Sequence, residues 1–303
     1  MKQLITTAVF PVAGMGTRFL PVTKAGPKEM LPIVDKPLIQ YVVEEAIAVG
    51  IKKLVFVTSS GKRAIEDYFD CNFELESMLA QKGKIEILNT VRNIIPADVK
   101  IVYVRQPRPK GLGDAVLCAK PVVGNEPFAV LLADDIMEHA HETCLTDMIK
   151  RFHETQCSVL AVENISRKDT DKYGIVSMAD HPQFPLQISS ITEKPLPEKA
   201  PSTLAVTGRY ILTPRIFDML EQIDIGVGGE LQLTDGLAKL LHYEAITVCT
   251  LQGRRYDCGS RLGFLQATLD FALKRSEFRE PLLDYIKKIS ESASQKHACS
   301  VAE

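Results

Sequence analysis

The runs LVFVT (54–58), FAVLLADD (128–135) and SVLAVE (158–163) are apolar at consecutive positions, and segments of helical periodicity separate them. A strand that is apolar on both sides needs cover on both sides, which an open, mainly parallel sheet between two layers of helices provides. Strands are expected at Ile5–Ala13, Leu54–Thr58, Val99–Arg105, Phe128–Ala133 and Ser158–Glu163. The clearest helix spans Pro37–Val49. Pro37 suits its first turn, Ile39, Val42, Val43, Ala46 and Ile47 form one apolar stripe, and Gly50 can close it. Further helical patterns follow Lys62, Gly113 and Thr146. The fold class is therefore α/β, a three-layer α/β/α arrangement. Ligands of such sheets bind beyond the carboxyl ends of the strands.

Beyond residue 170 the pattern changes. Short strands are expected at Gly174–Ser177, Ile188–Glu193, Ala205–Leu212 and Ala245–Leu251, with a long helix over Leu262–Arg275. Their hairpin-like spacing suggests antiparallel additions to the same sheet. No linker rich in Pro, Gly or Ser divides the chain, so a single domain is expected over 1–290. It would comprise a half about 1–135, a second half about 136–260, and C-terminal helices about 261–290. The polar stretch 291–303 reads as a frayed tail.

At 303 residues, 46% of them hydrophobic, the chain can bury a large core. No stretch approaches the roughly 20 consecutive apolar residues of a membrane span, and no signal-like segment precedes the first strand, so a soluble cytoplasmic protein is expected. The seven cysteines are scattered, without the spacing of a zinc site, and read as thiols in a reducing compartment. A net charge of −2 argues against bulk nucleic-acid binding, so an anionic ligand must be met by a local cluster of cations.

That cluster stands directly behind the first strand. Gly14-Met15-Gly16-Thr17-Arg18 can expose backbone N–H groups to phosphate oxygens; a glycine turn needing positive φ would look the same. A dinucleotide fingerprint would need glycine where Phe19 stands, and Gly61-Lys62 lacks the rest of a Walker A loop. Arg18, Lys24 and Lys28 share a segment stiffened by Pro21, Pro27 and Pro32, and together they suit a triphosphate or pyrophosphate. Asp134 and Asp135 end an apolar run, where carboxylates suit Mg²⁺ or equally an N-cap or Asx turn. Asp257 in RYDCGS is the best candidate for a second acid. His139 and His141 are too poorly spaced to suggest a metal site.

The segments GMGTR, PVTK and PKEMLP in the first loop resemble the signature of the sugar-1-phosphate nucleotidyltransferases, most nearly the bacterial UTP–glucose-1-phosphate uridylyltransferases. KPLIQYVV, KGLG, LLAD, EKP, GRY, ELQLTD and DCGSRLG continue the likeness in order to about residue 275. The resemblance implies a Rossmann-like nucleotide-diphospho-sugar transferase fold. It implies Arg18, Lys28 and Lys194 as catalytic residues, and Ala13, Gly14, Gly16, Thr17, Gln106 and Gly111 as the nucleotide site. Gly174, Glu193 and Gly208 would form the sugar site. Asp134, rather than Asp135, and Asp257 would hold Mg²⁺. Gln106 is expected to accept from one edge of uracil and donate to its neighbouring carbonyl, and Asp114 stands where relatives often carry His.

The implied reaction joins UTP and glucose 1-phosphate into UDP-glucose and pyrophosphate. The sugar phosphate is already an anionic nucleophile, which fits the lack of a Ser/His/Asp or Cys/His set. A homodimer or homotetramer is implied, and neither nucleic acid nor membrane is expected as a partner. Two alternatives stay open: a thymidylyltransferase, because uracil and thymine share the edge Gln106 would read, and a non-catalytic homologue that binds UDP-glucose.

Overall fold

The computed structural model describes residues 4–138, 142–180 and 186–300. Strand β1 (Thr7–Pro11) leads into three single 3₁₀ turns, Thr17–Phe19, Val22–Lys24 and Lys28–Met30. The short pair β2 (Pro32–Ile33) and β3 (Lys36–Pro37) precedes α1 (Leu38–Ala48), so Pro37 sits at the cap in extended backbone instead of in the first turn. Next come β4 (Lys53–Thr58), α2 (Arg63–Phe69), α3 (Phe73–Gln81), α4 (Ile85–Arg92), β5 (Lys100–Arg105), α5 (Leu112–Cys118) and α6 (Lys120–Val123). The chain continues through β6 (Phe128–Leu131), β7 (Asp135–Glu138), α7 (Cys144–Thr155), β8 (Ser158–Asn164), β9 (Gly174–Met178), β10 (Ile188–Glu193) and β11 (Leu204–Leu212). Helices α8 (Arg215–Leu220) and α9 (Leu233–Leu240), strands β12 (Ile246–Thr250) and β13 (Arg254–Asp257), and helices α10 (Arg261–Leu273) and α11 (Ser276–Ser300) complete it. Helix α11 runs through most of the stretch where a frayed tail is expected.

Among the described residues the main sheet has nine strands, and the expected mixed topology is present. Strands β6, β1, β4 and β5 are parallel neighbours. Strand β11 runs against β6, β8 and β9, while β12 lies parallel to β8 and β10 antiparallel to β9. One edge of β11 is shared: Ala205 pairs with β9, whereas Arg209–Leu212 pair with β6. Its register against β8 shifts between Val206 and Tyr210. Strands β9 and β10 thus extend the sheet outward just where the parallel strands end, and they raise a wall beside the carboxyl edge.

Both faces of the sheet are buried, as the apolar strands require. Side chains of α5, α6, α8 and α9 pack with Val9, Val55, Val130 and Leu160 on one face. Those of α1, α2 and α7 pack with Phe10, Phe56, Leu131 and Val159 on the other. A separate small core joins Ile33, Leu38, Ile136, Tyr256, Cys258 and Ala267. It seats an antiparallel ribbon of β7 and β13 that the sequence pattern does not reveal. The wholly buried Arg209 of β11 reaches Glu45 of α1 at 2.7 Å and donates to the carbonyls of Leu132 and Asp135, which fixes the turn after β6.

Candidate active site

The loop after β1 is held from both sides. Thr23 Oγ1 donates to the Gly16 carbonyl at 2.8 Å, Arg261 of α10 donates to the Arg18 carbonyl at 2.9 Å, and Phe19 packs edge-on against Phe264. Gly16 has φ 66°, and a Cβ there would stand 3.3 Å from both Thr23 and Lys28, so the turn and the close approach each call for glycine. Gly14, by contrast, opens onto free space. Thr17 is exposed at the start of the first 3₁₀ turn.

Lys28 crosses to the end of β6 and meets Asp134 at 2.5 Å. Burial works against charge on both groups, but each is opposed by the other. The carboxylate charge of Asp134, and then that of Glu29, raise the Lys28 pKa, and Lys28 holds Asp134 below its ordinary value. Glu29 in turn forms a buried ion pair of 2.7 Å with Lys62, which ties this turn to the residue before α2. Arg18 is exposed at the mouth of the cleft, close enough for its charge to be felt at both Lys28 and Asp134.

The ribbon brings the second acid. Asp257, the last residue of β13, pairs with Asp135, the first of β7. Its Oδ1 accepts from the Gly259 N–H at 3.0 Å and its Oδ2 from the Tyr173 hydroxyl at 3.1 Å. A Cβ at Gly259 would stand 2.7 Å from Asp134 Oδ2 and 3.0 Å from Asp257 Oδ1, so the two carboxylates converge over bare backbone. Asp135 is engaged differently: Arg255 holds it with two bonds, of 2.7 and 3.1 Å, and the Gly208 N–H with a third. Arg255 also reaches Glu163 and lies over the Tyr173 ring. Among the described residues no cluster of three or more His, Cys, Asp or Glu side chains could hold a metal. The pair Asp134 and Asp257 nonetheless suits Mg²⁺, which takes one or two carboxylates and fills its shell with phosphate oxygens and water. His139 and His141 lie outside the described residues.

A cleft of about 940 Å³ opens above these acids, lined by Arg18, Asp134, Glu193, Lys194, Asp257 and the wall strands. Gly174 pairs with Glu193 across β9 and β10, and a Cβ on it would meet Thr234 Oγ1 at 3.3 Å and Glu193 Oε2 at 3.5 Å. Thr234 donates to Glu193 Oε2 at 2.6 Å, and Lys194 Nζ lies 3.1 Å from Glu193 Oε1. Lys194 has φ 44°, a left-handed conformation unusual for lysine, held by its N–H bond to the Tyr173 carbonyl. Gly208 lines the cleft, but its Cβ position is blocked by Asp135 Oδ2 at 2.6 Å and Leu132 Cβ at 2.9 Å, so Asp135 demands the glycine at least as much as any ligand.

A second cavity of about 440 Å³ is lined by Ala13, Gly14, Lys62 and Gln106. Gln106 is buried at the end of β5 and its Nε2 donates to the Gly111 carbonyl at 3.1 Å and to Asp114 Oδ2 at 2.8 Å. Both amide hydrogens are thus engaged within the protein, which leaves this side chain only the accepting half of its expected role. Gly111 has φ 100°, and a Cβ would collide with Glu230 and with the Leu231 carbonyl. Its glycine answers first to packing against that segment.

Sequence reasoning missed Tyr173, Arg255, Thr234 and the Glu29–Lys62 pair. Tyr173 merely precedes Gly174 and Thr234 lies within ELQLTD, and neither is chemically distinctive there. Arg255 could be found only by knowing that its strand pairs with β7.

Known proteins share both the sequence and the fold. Residues 8–273 match the nucleotidyl transferase family. A UTP–glucose-1-phosphate uridylyltransferase of Haemophilus ducreyi is 47% identical over 94% of this chain and 99% of its own length. A solved UTP-bound UGPase from Acinetobacter baumannii superposes with a TM-score of 0.85 at 43% identity, covering 93% of this chain and 99% of that one. A UDP-glucose pyrophosphorylase complexed with UDP-glucose gives 0.82 at 44% identity, over 90% and 100% of the two chains. Sequence and fold agree across nearly the whole length, and the chain belongs to the nucleotidyl transferase family.

Proposed function

We propose that the chain joins UTP and α-D-glucose 1-phosphate to give UDP-glucose and pyrophosphate. The observation that carries this reading is the convergence of Asp134, paired with Lys28, and Asp257, from three distant parts of the chain, with both acids lining a cleft whose wall carries Glu193 and Lys194. The names of the Haemophilus ducreyi relative and of the two solved neighbours support UTP and glucose as substrates.

An oxygen of the sugar phosphate attacks the α-phosphorus of UTP in line while the bond to the β-phosphate breaks, and pyrophosphate leaves with the electron pair. No proton need be removed from the nucleophile. Among the described residues neither histidine nor cysteine lines the larger cleft, which suits a reaction without a general base. Catalysis then rests on positioning and on neutralising charge. Arg18 and Lys28 meet the β- and γ-phosphates, and the Gly14–Thr17 backbone cradles them. Lys194 leads in the sugar phosphate, Glu193 takes sugar hydroxyls, Gly174 and Gly208 leave room beside the wall strands, and Ala13, Gln106 and Gly111 border the base. Asp134 and Asp257 would hold Mg²⁺, whose charge would stabilise the phosphate oxygens when bound. The exposed Leu262 and Leu265 of α10 offer a surface for the homodimer or homotetramer of this reading, and cysteines that form no disulfide among the described residues suit the cytoplasm.

The test is pyrophosphate release from UTP or dTTP in parallel, with Mg²⁺ and glucose 1-phosphate. Rapid release with UTP and little with dTTP is expected. A preference for dTTP would make the protein a thymidylyltransferase, and tight UDP-glucose binding without turnover would make it a regulatory homologue.

A further inference from the structure

We infer that Asp114 is a positioning residue that locks the Gln106 amide with its oxygen toward the nucleotide base, so that the base site accepts a ring N–H and rejects cytosine. The inference rests on the reading of Gln106 as the residue that faces the base.

Carboxamide oxygen and nitrogen have nearly the same shape, so orientation must come from their partners. Here the partners leave no choice. Gln106 Nε2 lies 3.1 Å from the Gly111 carbonyl oxygen and 2.8 Å from Asp114 Oδ2, and both of those atoms can only accept. A flipped amide would set its oxygen against two others. The Gly111 carbonyl alone would use one hydrogen and leave the second free for a ligand; the carboxylate of Asp114 takes that second hydrogen, and the bond is charge-assisted.

The clamp is rigid. The Gln106 N–H bonds the Thr58 carbonyl at 2.9 Å, and the Gly113 N–H bonds the Leu231 carbonyl at 2.8 Å one residue before Asp114. Gln106 is only 5% exposed, and among the described residues no protein group donates to its Oε1. Gln106 borders the cavity it shares with Ala13, Gly14 and Lys62. An accessible acceptor on the cavity lining, without a protein donor, is matched by uracil or thymine, whose N3 carries hydrogen. Cytosine presents a lone pair at N3, so two acceptors would face each other unpaired.

The test is steady-state pyrophosphate release with UTP and with CTP for the wild type, Asp114→Ala, Asp114→Asn and Gln106→Leu, with melting curves for each. Asp114→Ala should raise KM for UTP about tenfold with kcat held within about twofold, and should lower the UTP-over-CTP preference about tenfold. Asp114→Asn should restore most of both, because an amide oxygen can accept the same bond. Gln106→Leu should abolish the preference. Wild-type KM and preference in Asp114→Ala, beside a loss of both in Gln106→Leu, would overturn the role of Asp114 alone. An unchanged preference in Gln106→Leu would overturn the reading of Gln106 itself. Equal loss of kcat with both nucleotides, a melting shift that accounts for the defect, or Asn behaving like Ala would each reduce Asp114 to a structural residue and overturn the inference.

Discussion

Lys28 and Asp134 stand 106 positions apart in sequence and 2.5 Å apart in space. The ammonium lies beside one of the two carboxylates that converge over Gly259, and it joins the loop after β1 to the end of the central strand. Lys28→Ala and Asp134→Ala should each lower kcat by roughly 10²- to 10³-fold or more, about 3–4 kcal/mol, as for loss of a group that meets developing charge. Pyrophosphate release checks this, and near-wild-type turnover in both variants would sink the assignment.

Chelation of divalent ions should abolish turnover, and Mg²⁺ should restore it. Tyr173→Phe keeps the ring beneath Arg255 and removes only the hydroxyl that donates to Asp257. Partners that orient a ligand are worth about 10- to 100-fold in metal affinity, so the Mg²⁺ concentration for half-maximal activity should rise at least about tenfold. An unchanged titration would mean that Asp257 needs no such support.

Thr234→Val is nearly isosteric and deletes the 2.6 Å bond to Glu193. A hydrogen bond to a charged group contributes about 1.5–3 kcal/mol, so KM for glucose 1-phosphate should rise by roughly tenfold or more while KM for UTP stays put. Parallel rises in both constants would argue that Thr234 supports the cleft as a whole.

Glu45→Ala removes the carboxylate that neutralises the fully buried Arg209. Breaking a buried pair on one side costs about 3–5 kcal/mol, and the denaturant midpoint should fall accordingly. A shift below about 1 kcal/mol would show that the carbonyls of Leu132, Gly208 and Asp135 suffice for the guanidinium.

The main sheet was legible because burial on both faces writes itself into consecutive residues: LVFVT and FAVL can hardly be anything but interior strands. The ribbon was not. DIME and RRYD have no apolar run or clean alternation, and they pair across about 120 residues, so only the small core around Tyr256 and Cys258 specifies them. The same reasoning covers the site. Resemblance pointed to Lys28, Asp134 and Asp257, yet their mutual geometry depends on that ribbon. The duties of the neighbouring Asp134 and Asp135 differ through Arg255, which sequence leaves far away. The polar end of α11 carries no strong signal either, since side-chain periodicity there gives little reason to expect a helix.

Because β13 hangs from β7, the paired acids exist only after residues 254–257 have been made. A chain that has left the ribosome as far as residue 250 already possesses the glycine loop, Lys28, Asp134 and the wall that bears Glu193 and Lys194, but it lacks Asp257 and the α10 residue Arg261 that tethers the loop. A product that stops short of residue 254 therefore holds a cleft with one of its two converging acids and an untethered loop, incomplete by construction.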